Sequence, residues 1–442
     1  MELNILGLVM LGCLFIAILL GFPISFTLVS LGMVFGFVGM GDRVFLLLTF
    51  QVFQTMQEGI MAAVALFLFM GYVMERAGLM TRFFRGFQIL FGGMRGSLYL
   101  CIIFTALIFS AATGIVAASV TIVALIAAPH MIKSGYSNRM SAGIIAAGGT
   151  LGVLLPPSVM LLVISATLEV SIFHLFAGSI IPGLLLATLF LTYAMVLSYF
   201  KPEIAPLAPE EDRNYSMAAA LKEIFFGIIP PAILILATLG SIFAGLATPT
   251  EGAALGALGA ILIVIFSGKF QLNSLKEATY KTAHTTAMIL FLMAAANFFS
   301  AVFSRFGSPQ LLTEFLLSMA LTPTTMMFLV LGIIFLIGWP LGCWVAIVVI
   351  FVPLFAPILA EMGISMLMFG ILVVVTLQAA WLTPPIALSA YFLKAAVPQW
   401  QLKDIMMGML PFMVLQLVGL IILVLFPEII YYLPRLIYGD RW

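Results

Sequence analysis

Long apolar runs, interrupted by short polar stretches, fill this chain. About 20 apolar residues cross a bilayer as a helix. On that scale the pattern predicts spans near 4–21, 24–40, 59–75, 141–169, 175–199, 224–246, 252–267, 283–304, 366–393 and 405–428. Two further apolar stretches, 96–131 and 323–360, are about 36 and 38 residues long. Each is too long for one crossing and short for two. Each is broken near its middle, at Ser110-Ala-Ala-Thr-Gly114 and at Gly338-Trp-Pro-Leu-Gly342. The expected fold is an all-α polytopic membrane protein with about ten spans and two helical hairpins.

These breaks recur at a fixed spacing. Gly114, Ala128, Pro129, Gly135, Ser137, Pro156 and Pro157 match Gly342, Ala356, Pro357, Gly363, Ser365, Pro384 and Pro385, each 228 residues further on. A doubled hydrophobic unit with helix breaks in matching places points to a secondary transporter whose binding site lies at the repeat interface.

Charge gives the expected orientation. Basic loops face the cytoplasm. Arg76, Arg82, Arg85 and Arg95 precede the first hairpin, and Lys133 and Arg139 follow it, so both of its ends are expected inside. No Lys or Arg occurs from Phe306 through Leu393, which puts the ends of the second hairpin outside. One re-entrant hairpin from each face is what an inverted repeat requires, and re-entrant backbone is tolerated only within protein or beside an aqueous cavity. Three basic residues at 201–222, three at 269–281 and two at 394–403 complete the inside set; Arg43, Arg305, Arg435 and Arg441 fall outside. Both termini are then external. The chain is apolar from Leu3 onward with no basic region before it, so no cleaved signal peptide is expected.

Composition narrows the function. Of 442 residues, 64% are hydrophobic and 8% charged, too apolar a balance for a soluble domain. A net charge of +1 disfavours nucleic acid as a partner. Cys13, Cys101 and Cys343 lie in apolar segments and read as packed free thiols. His130, His174 and His284 share no ligand-like spacing, so no transition metal and no cofactor are expected. There is no G-x-x-x-x-G-K-[ST], G-x-S-x-G or H-E-x-x-H, which disfavours direct ATP drive and intramembrane hydrolysis.

The chemistry sits at the breaks. Leu155-Pro156-Pro157-Ser158 and Thr383-Pro384-Pro385-Ile386 interrupt helices that follow the hairpins. Proline removes a backbone donor, which frees the carbonyls ahead of it. Freed carbonyls and hydroxyls suit an alkali cation, and half-helix N-termini suit an anionic substrate group. The alternative is a pair of packed proline kinks; the doubling favours two ion sites, each built from a hairpin tip and a break. Sodium-binding candidates are Ser110, Thr113, Gly114, Gly152, Pro156, Ser158, Gly338, Gly342, Thr383 and Pro384. Substrate-pocket candidates are Ser110, Thr113, Pro157, Ser158, Trp339, Pro385 and Ser389, although Trp339 also reads as a packing residue. Thr248-Pro249-Thr250-Glu251 reads as a helix capping box, with an ion carboxylate at Glu251 as the second reading.

Several motifs together resemble the large membrane subunit of tripartite ATP-independent periplasmic (TRAP) transporters. They are Gly149-Thr150-Leu151-Gly152, Pro156-Pro157-Ser158, Ser171-Ile172, Leu175-Phe176, Ile181-Pro182-Gly183, Pro249-Thr250-Glu251 and Thr383-Pro384-Pro385. The resemblance covers nearly the whole chain. It implies an elevator-type, ion-transporter-like fold with a static scaffold and a moving transport domain. It also implies sodium as the coupling ion, a small four-helix membrane subunit, a periplasmic substrate-binding protein and an organic-acid substrate. Two places depart from the family pattern. The second tip usually reads Gly-Met-Phe-Met-Asp, and here it is Gly338-Trp-Pro-Leu-Gly342, without the acid. The second Pro pair is often followed by Gly-Leu-Asn, and here by Ala387-Leu388-Ser389.

The expected organisation follows. Scaffold helices and an arm occupy 1–58 and 224–282, with arm helices near 42–57 and 270–282. Transport-domain repeats occupy 59–199 and 283–428, a cytoplasmic linker 200–223 and an external tail 429–442. The expected function is a sodium-coupled, non-enzymatic importer subunit in a bacterial inner membrane, moving a carboxylate handed over by the binding protein. Alternatives are a stand-alone sodium/carboxylate transporter of related fold and a structural subunit without its own path.

Overall fold

The computed structural model describes residues 3–113, 116–207 and 217–439, and the fold among them is all helical. The first half runs α1 (Leu3–Leu19), α2 (Ile24–Met40), α3 (Arg43–Gln57), α4 (Ile60–Arg76) and α5 (Leu79–Phe91). It continues through α6 (Ser97–Thr113), α7 (Val116–Lys133), α8 (Asn138–Thr150), α9 (Val159–Leu168) and α10 (Ile172–Phe200). The second half runs α11 (Met217–Phe243), α12 (Pro249–Phe266), α13 (Leu272–Arg305), α14 (Ser308–Ser318) and α15 (Pro323–Leu341). After these come α16 (Trp344–Glu361), α17 (Met366–Trp381), α18 (Leu388–Ala396), α19 (Leu402–Leu425) and α20 (Glu428–Tyr438).

The 228-residue offset carries through the architecture. Shifted by it, α7 becomes 344–361, which is α16 end to end. α2, α5, α6, α8, α9 and α10 fall on α12, α14, α15, α17, α18 and α19 in the same way, with ends differing by a few residues. Packing is exchanged between the halves: α7 lies against α18 and α16 against α9, while α4 lies against α12 and α2 against α13. The Pro156-Pro157 and Pro384-Pro385 peptide bonds are both cis.

Burial separates centre from periphery. Every residue from Met140 to Thr150 of α8 and from Leu367 to Trp381 of α17 is buried. A helix apolar on all sides belongs inside other helices. The outer helices instead present bare apolar side chains, such as Val38, Leu236 and Phe266, as expected of surfaces facing lipid or a membrane partner. Seven helices among the described residues are long and apolar enough to cross a membrane, eight if α3 and α4 count as one bent span. α1 and α2, each counted among the ten expected spans, are apolar but only 17 residues long.

Four expectations change. The predicted arm at 270–282 is not a separate helix but the first part of α13, which runs unbroken for 34 residues. In the first half, Glu58-Gly59 divides the corresponding stretch into α3 and α4, bent by 55°. The second half has Thr286-Ala287 at those positions, and alanine continues a helix where glycine does not. The basic loop after Arg76 contains α5, whose Phe83, Phe84 and Phe87 are buried while Arg82 and Arg85 stay exposed. The predicted tail holds α20, which buries Ile430 and Pro434 and pairs Arg435 with Glu428. Finally, the second hairpin turns at Gly342-Cys343, because α15 continues through Gly338 and Trp339 to Leu341. The acidic part of the linker, Pro209 to Asp212, lies outside the described residues.

Candidate functional site

Each broken helix is a helix, a Pro-Pro interruption and a second, shorter helix. In the first repeat α8 ends at Thr150, tightens into a 3-10 turn over Leu151–Val153 and restarts at Val159. In the second, α17 ends at Trp381 and α18 begins at Leu388. Residues 153 and 381 are equivalent. Their carbonyls would take helical hydrogen bonds from residues three or four further on, and in both repeats those residues are the two prolines, which have no N–H.

The two repeats resolve this differently. Ser158 Oγ donates to the Val153 carbonyl and also accepts from Leu161 N at 3.3 Å, capping α9. The residue equivalent to Ser158 is Ile386, which has no hydroxyl to offer the Trp381 carbonyl. The first break is therefore closed by its own side chain, and the second keeps an oxygen free of that partner.

Other candidates take these places. Gly152, Pro156 and Pro157 are buried within the first break; Thr383 and Pro384 are half-buried and Pro385 is exposed at the second. Thr383 Oγ1 donates to the Ala379 carbonyl at 2.8 Å, leaving lone pairs on its oxygen. Ser110 and Thr113 close α6, but their side chains, together with Gly114, lie outside the described residues. Gly338 packs on the end of α17: a Cβ there would lie 3.0 Å from Leu377 and 3.4 Å from Ala380. This brings the second hairpin and the second break together. Gly342 holds φ +60 with open space around it. Ser389 Oγ and the indole Nε1 atoms of Trp339 and Trp381 are buried without a hydrogen-bond partner among the described residues.

The breaks of the two repeats also meet. Gln378 Nε2 donates to the Thr150 carbonyl at 2.7 Å, and Gln416 Nε2 donates to Gln378 Oε1. Gln378 and Gln416 were not singled out from the sequence. The available signal was two amides inside otherwise apolar spans, where polar side chains are costly. The expected cap at Thr248 is present. Glu251 N donates to Thr248 Oγ1 at 3.3 Å, and Thr248 N donates to Glu251 Oε2 at 2.8 Å. This commits Glu251 to the start of α12.

A hard cation takes oxygen ligands, and the residues at the breaks fit that requirement: main-chain carbonyls and the Thr383 hydroxyl. No group of three or more His, Cys, Asp or Glu able to hold a metal ion occurs among the described residues.

Known proteins resemble this chain in sequence and in fold. The family model described as "Tripartite ATP-independent periplasmic transporter, DctM component" matches residues 11–429. The chain is 30% identical over 389 residues to the C4-dicarboxylate TRAP transporter large permease protein DctM of Pseudomonas aeruginosa, covering 88% of this chain and 89% of that one. It is 29% identical over 380 residues to the sialic acid TRAP transporter large permease protein SiaM of Vibrio cholerae, covering 85% and 86%. Among solved structures, the Alcanivorax borkumensis YdaH transporter is similar in fold, with a TM-score of 0.66 at 18% identity over 97% of this chain and 98% of that one. The chain thus belongs to the DctM family, the large membrane subunits of tripartite ATP-independent periplasmic transporters.

Proposed function

We propose that this chain is the permease subunit of a sodium-coupled importer for an organic acid. The supporting observation is the pair of equivalent Pro-Pro breaks, each with a carbonyl deprived of helical donors, with the helices leading into them joined by the Gln378–Thr150 hydrogen bond. Sodium would be held by carbonyl and hydroxyl oxygens around the breaks and tips, with Trp381 and Thr383 in the second repeat and Gly152 in the first. Bound there, it supplies positive charge that favours a carboxylate. The unspent donors Trp339 Nε1, Trp381 Nε1 and Ser389 Oγ suit the oxygens of that carboxylate. The names of the relatives support an acidic substrate, since they transport C4-dicarboxylates and sialic acid.

In this reading α6–α7 and α15–α16 are re-entrant hairpins of an inverted repeat. They form, with the broken helices, a transport domain that moves elevator-fashion against α1–α4 and α11–α13. The chain sits in a bacterial inner membrane with both termini periplasmic. A small membrane subunit supports the scaffold, and a periplasmic binding protein delivers the substrate. The driving force is the sodium gradient plus membrane potential, the latter about 2.3 kcal/mol per charge per 100 mV.

The test is affinity purification from native membranes mixed with periplasmic extract, followed by reconstitution of what is recovered. A small multi-span subunit, a soluble protein carrying an organic acid, and uptake of that acid only with an inward sodium gradient are expected. Sodium-driven uptake by the chain alone would replace the three-part reading with a stand-alone transporter. Absence of uptake with every recovered partner would leave a structural subunit.

A further inference from the structure

Gln378 and Thr150 are 228 residues apart, so they are the same position of the two repeats, and they touch. Two equivalent residues can meet directly only near the axis that relates the repeats. Thr150 is the last residue of α8, where the chain tightens from α to 3-10 geometry just before the break. Gln378 lies three residues before the end of α17, just before the other break. The Gln378 amide therefore ties the two breaks together, and Gln416 of α19 holds that amide by donating to its oxygen. Gln378, Gln416 and Thr150 are all fully buried. The chain of amides has a fixed direction: Gln416 Nε2 to Gln378 Oε1, then Gln378 Nε2 to the Thr150 carbonyl.

We propose that Gln378 is a positioning residue: its amide, oriented by Gln416, sets the spacing of the two breaks and thereby the sodium affinity of both. This rests on the sodium-coupled reading above. An apolar residue of similar size at 378 would fill the space but let the two breaks relax independently. One buried hydrogen bond corresponds to a roughly three- to tenfold change in an equilibrium constant.

The experiment is uptake by the reconstituted transporter, scanned against sodium, substrate and pH, for wild type, Gln378→Leu, Gln378→Glu and Gln416→Leu. Gln378→Leu is expected to raise the half-saturating sodium concentration roughly three- to tenfold, with a smaller change in substrate KM. Should that variant fail to insert, Gln378→Glu decides. Only a protonated carboxyl can donate to the Thr150 carbonyl, since a carboxylate has acceptors alone. Its sodium affinity is expected near wild type at low pH, where the carboxyl donates as the amide does, and to depart from it as pH rises, whereas wild type should not show this trend.

Other ionisable groups on the elements packed on α17 are remote in sequence from these contacts. They are Arg139 on α8, His174, Tyr193 and Tyr199 on α10, Glu361 on α16, and Lys403 and Asp404 on α19; α20 carries Glu428, Arg435 and several tyrosines. Gln416→Leu should weaken sodium affinity in wild type and add little to Gln378→Leu. A Gln378→Glu pH profile parallel to wild type, or a correctly inserted Gln378→Leu with unchanged sodium dependence, overturns the proposal. If wild-type uptake ignores sodium, the underlying function fails as well, and the wild-type curve alone reveals it.

Discussion

Gly143 and Gly408 bring the backbones of α8 and α19 into contact. A Cβ on Gly143 would lie 2.1 Å from the Gly408 carbonyl oxygen, and one on Gly408 would lie 1.8 Å from the Arg139 carbonyl oxygen. Lipid supplies no hydrophobic force between helices, so association there depends on close packing through small residues. The positions related to these by the repeat are Ile371 and Ile180, so this glycine-on-glycine crossing is not repeated there; α10 instead packs Gly178 against Ile371 of α17.

Gly408→Ala should therefore be severe. The obstacle is main chain, which has no rotamer to change, and overpacking of this kind costs about 1–3 kcal/mol or more. Gly12→Ala is the control, because nothing lies within 4 Å of a Cβ there. In detergent, Gly408→Ala should lower the melting temperature or the yield of monodisperse protein, while Gly12→Ala should match or exceed wild type. Equal behaviour of the two would mean that α8 and α19 can separate without cost.

The helices and their repetition were legible because glycine and proline punctuate apolar runs at one offset. The expected span 24–40 is α2 as found, and the expected hairpin 96–131, broken at 110–114, is found as α6 and α7, ending at Lys133. The capping box at Thr248 was legible for the same reason: its chemistry is local. α5 and α20 were not, because Arg82, Arg85 and Arg435 made them read as loop and tail; burial of one face, visible only in three dimensions, is what makes them helices. The continuity of α13 hinged on Ala287 standing where the first half has Gly59. The Gln378–Thr150 contact was hidden because it joins residues across the whole fold, although the 228-residue offset that relates them is present in the sequence.

Ser158 has two jobs, and an alanine there should show both. It caps α9, an interaction of about 0.5–2 kcal/mol, and it satisfies the Val153 carbonyl, whose loss of a buried partner costs about 1–3 kcal/mol. Ser158→Ala is expected to lower the melting temperature clearly, and Ser158→Thr, which keeps the hydroxyl, to lower it less. Sodium-driven uptake should fall in the same order. A stable Ser158→Ala with lost sodium dependence would instead make the hydroxyl a direct ion ligand.

Glu251 tests the two readings of its motif. In the structure its carboxylate accepts from Thr248 N and from Thr248 Oγ1 at 2.9 Å. Glu251→Gln retains an acceptor oxygen for the box and should leave uptake and melting near wild type. Glu251→Ala should lower the melting temperature slightly with little effect on uptake per folded protein. Loss of uptake in Glu251→Gln at unchanged stability would identify Glu251 as a carrier carboxylate.

Gly342 isolates the backbone at the second hairpin tip. Its φ of +60 lies in the left-handed region, and no atom would contact an added Cβ, so an alanine there meets conformational strain alone. That strain is about 1–2 kcal/mol for an ordinary residue and less for asparagine. Gly332, inside the helix that Gly342 caps, is equally open but helical, so Gly332→Ala should be neutral or stabilising. If the tip conformation shapes the ion site, Gly342→Ala should raise the half-saturating sodium concentration, Gly342→Asn should recover part of the loss, and Gly332→Ala should change nothing. Sodium titrations of uptake for the three variants, each normalised to inserted protein, give the order. An unchanged Gly342→Ala would remove the second tip from the ion site and leave the Trp381 carbonyl and Thr383 as its remaining ligands.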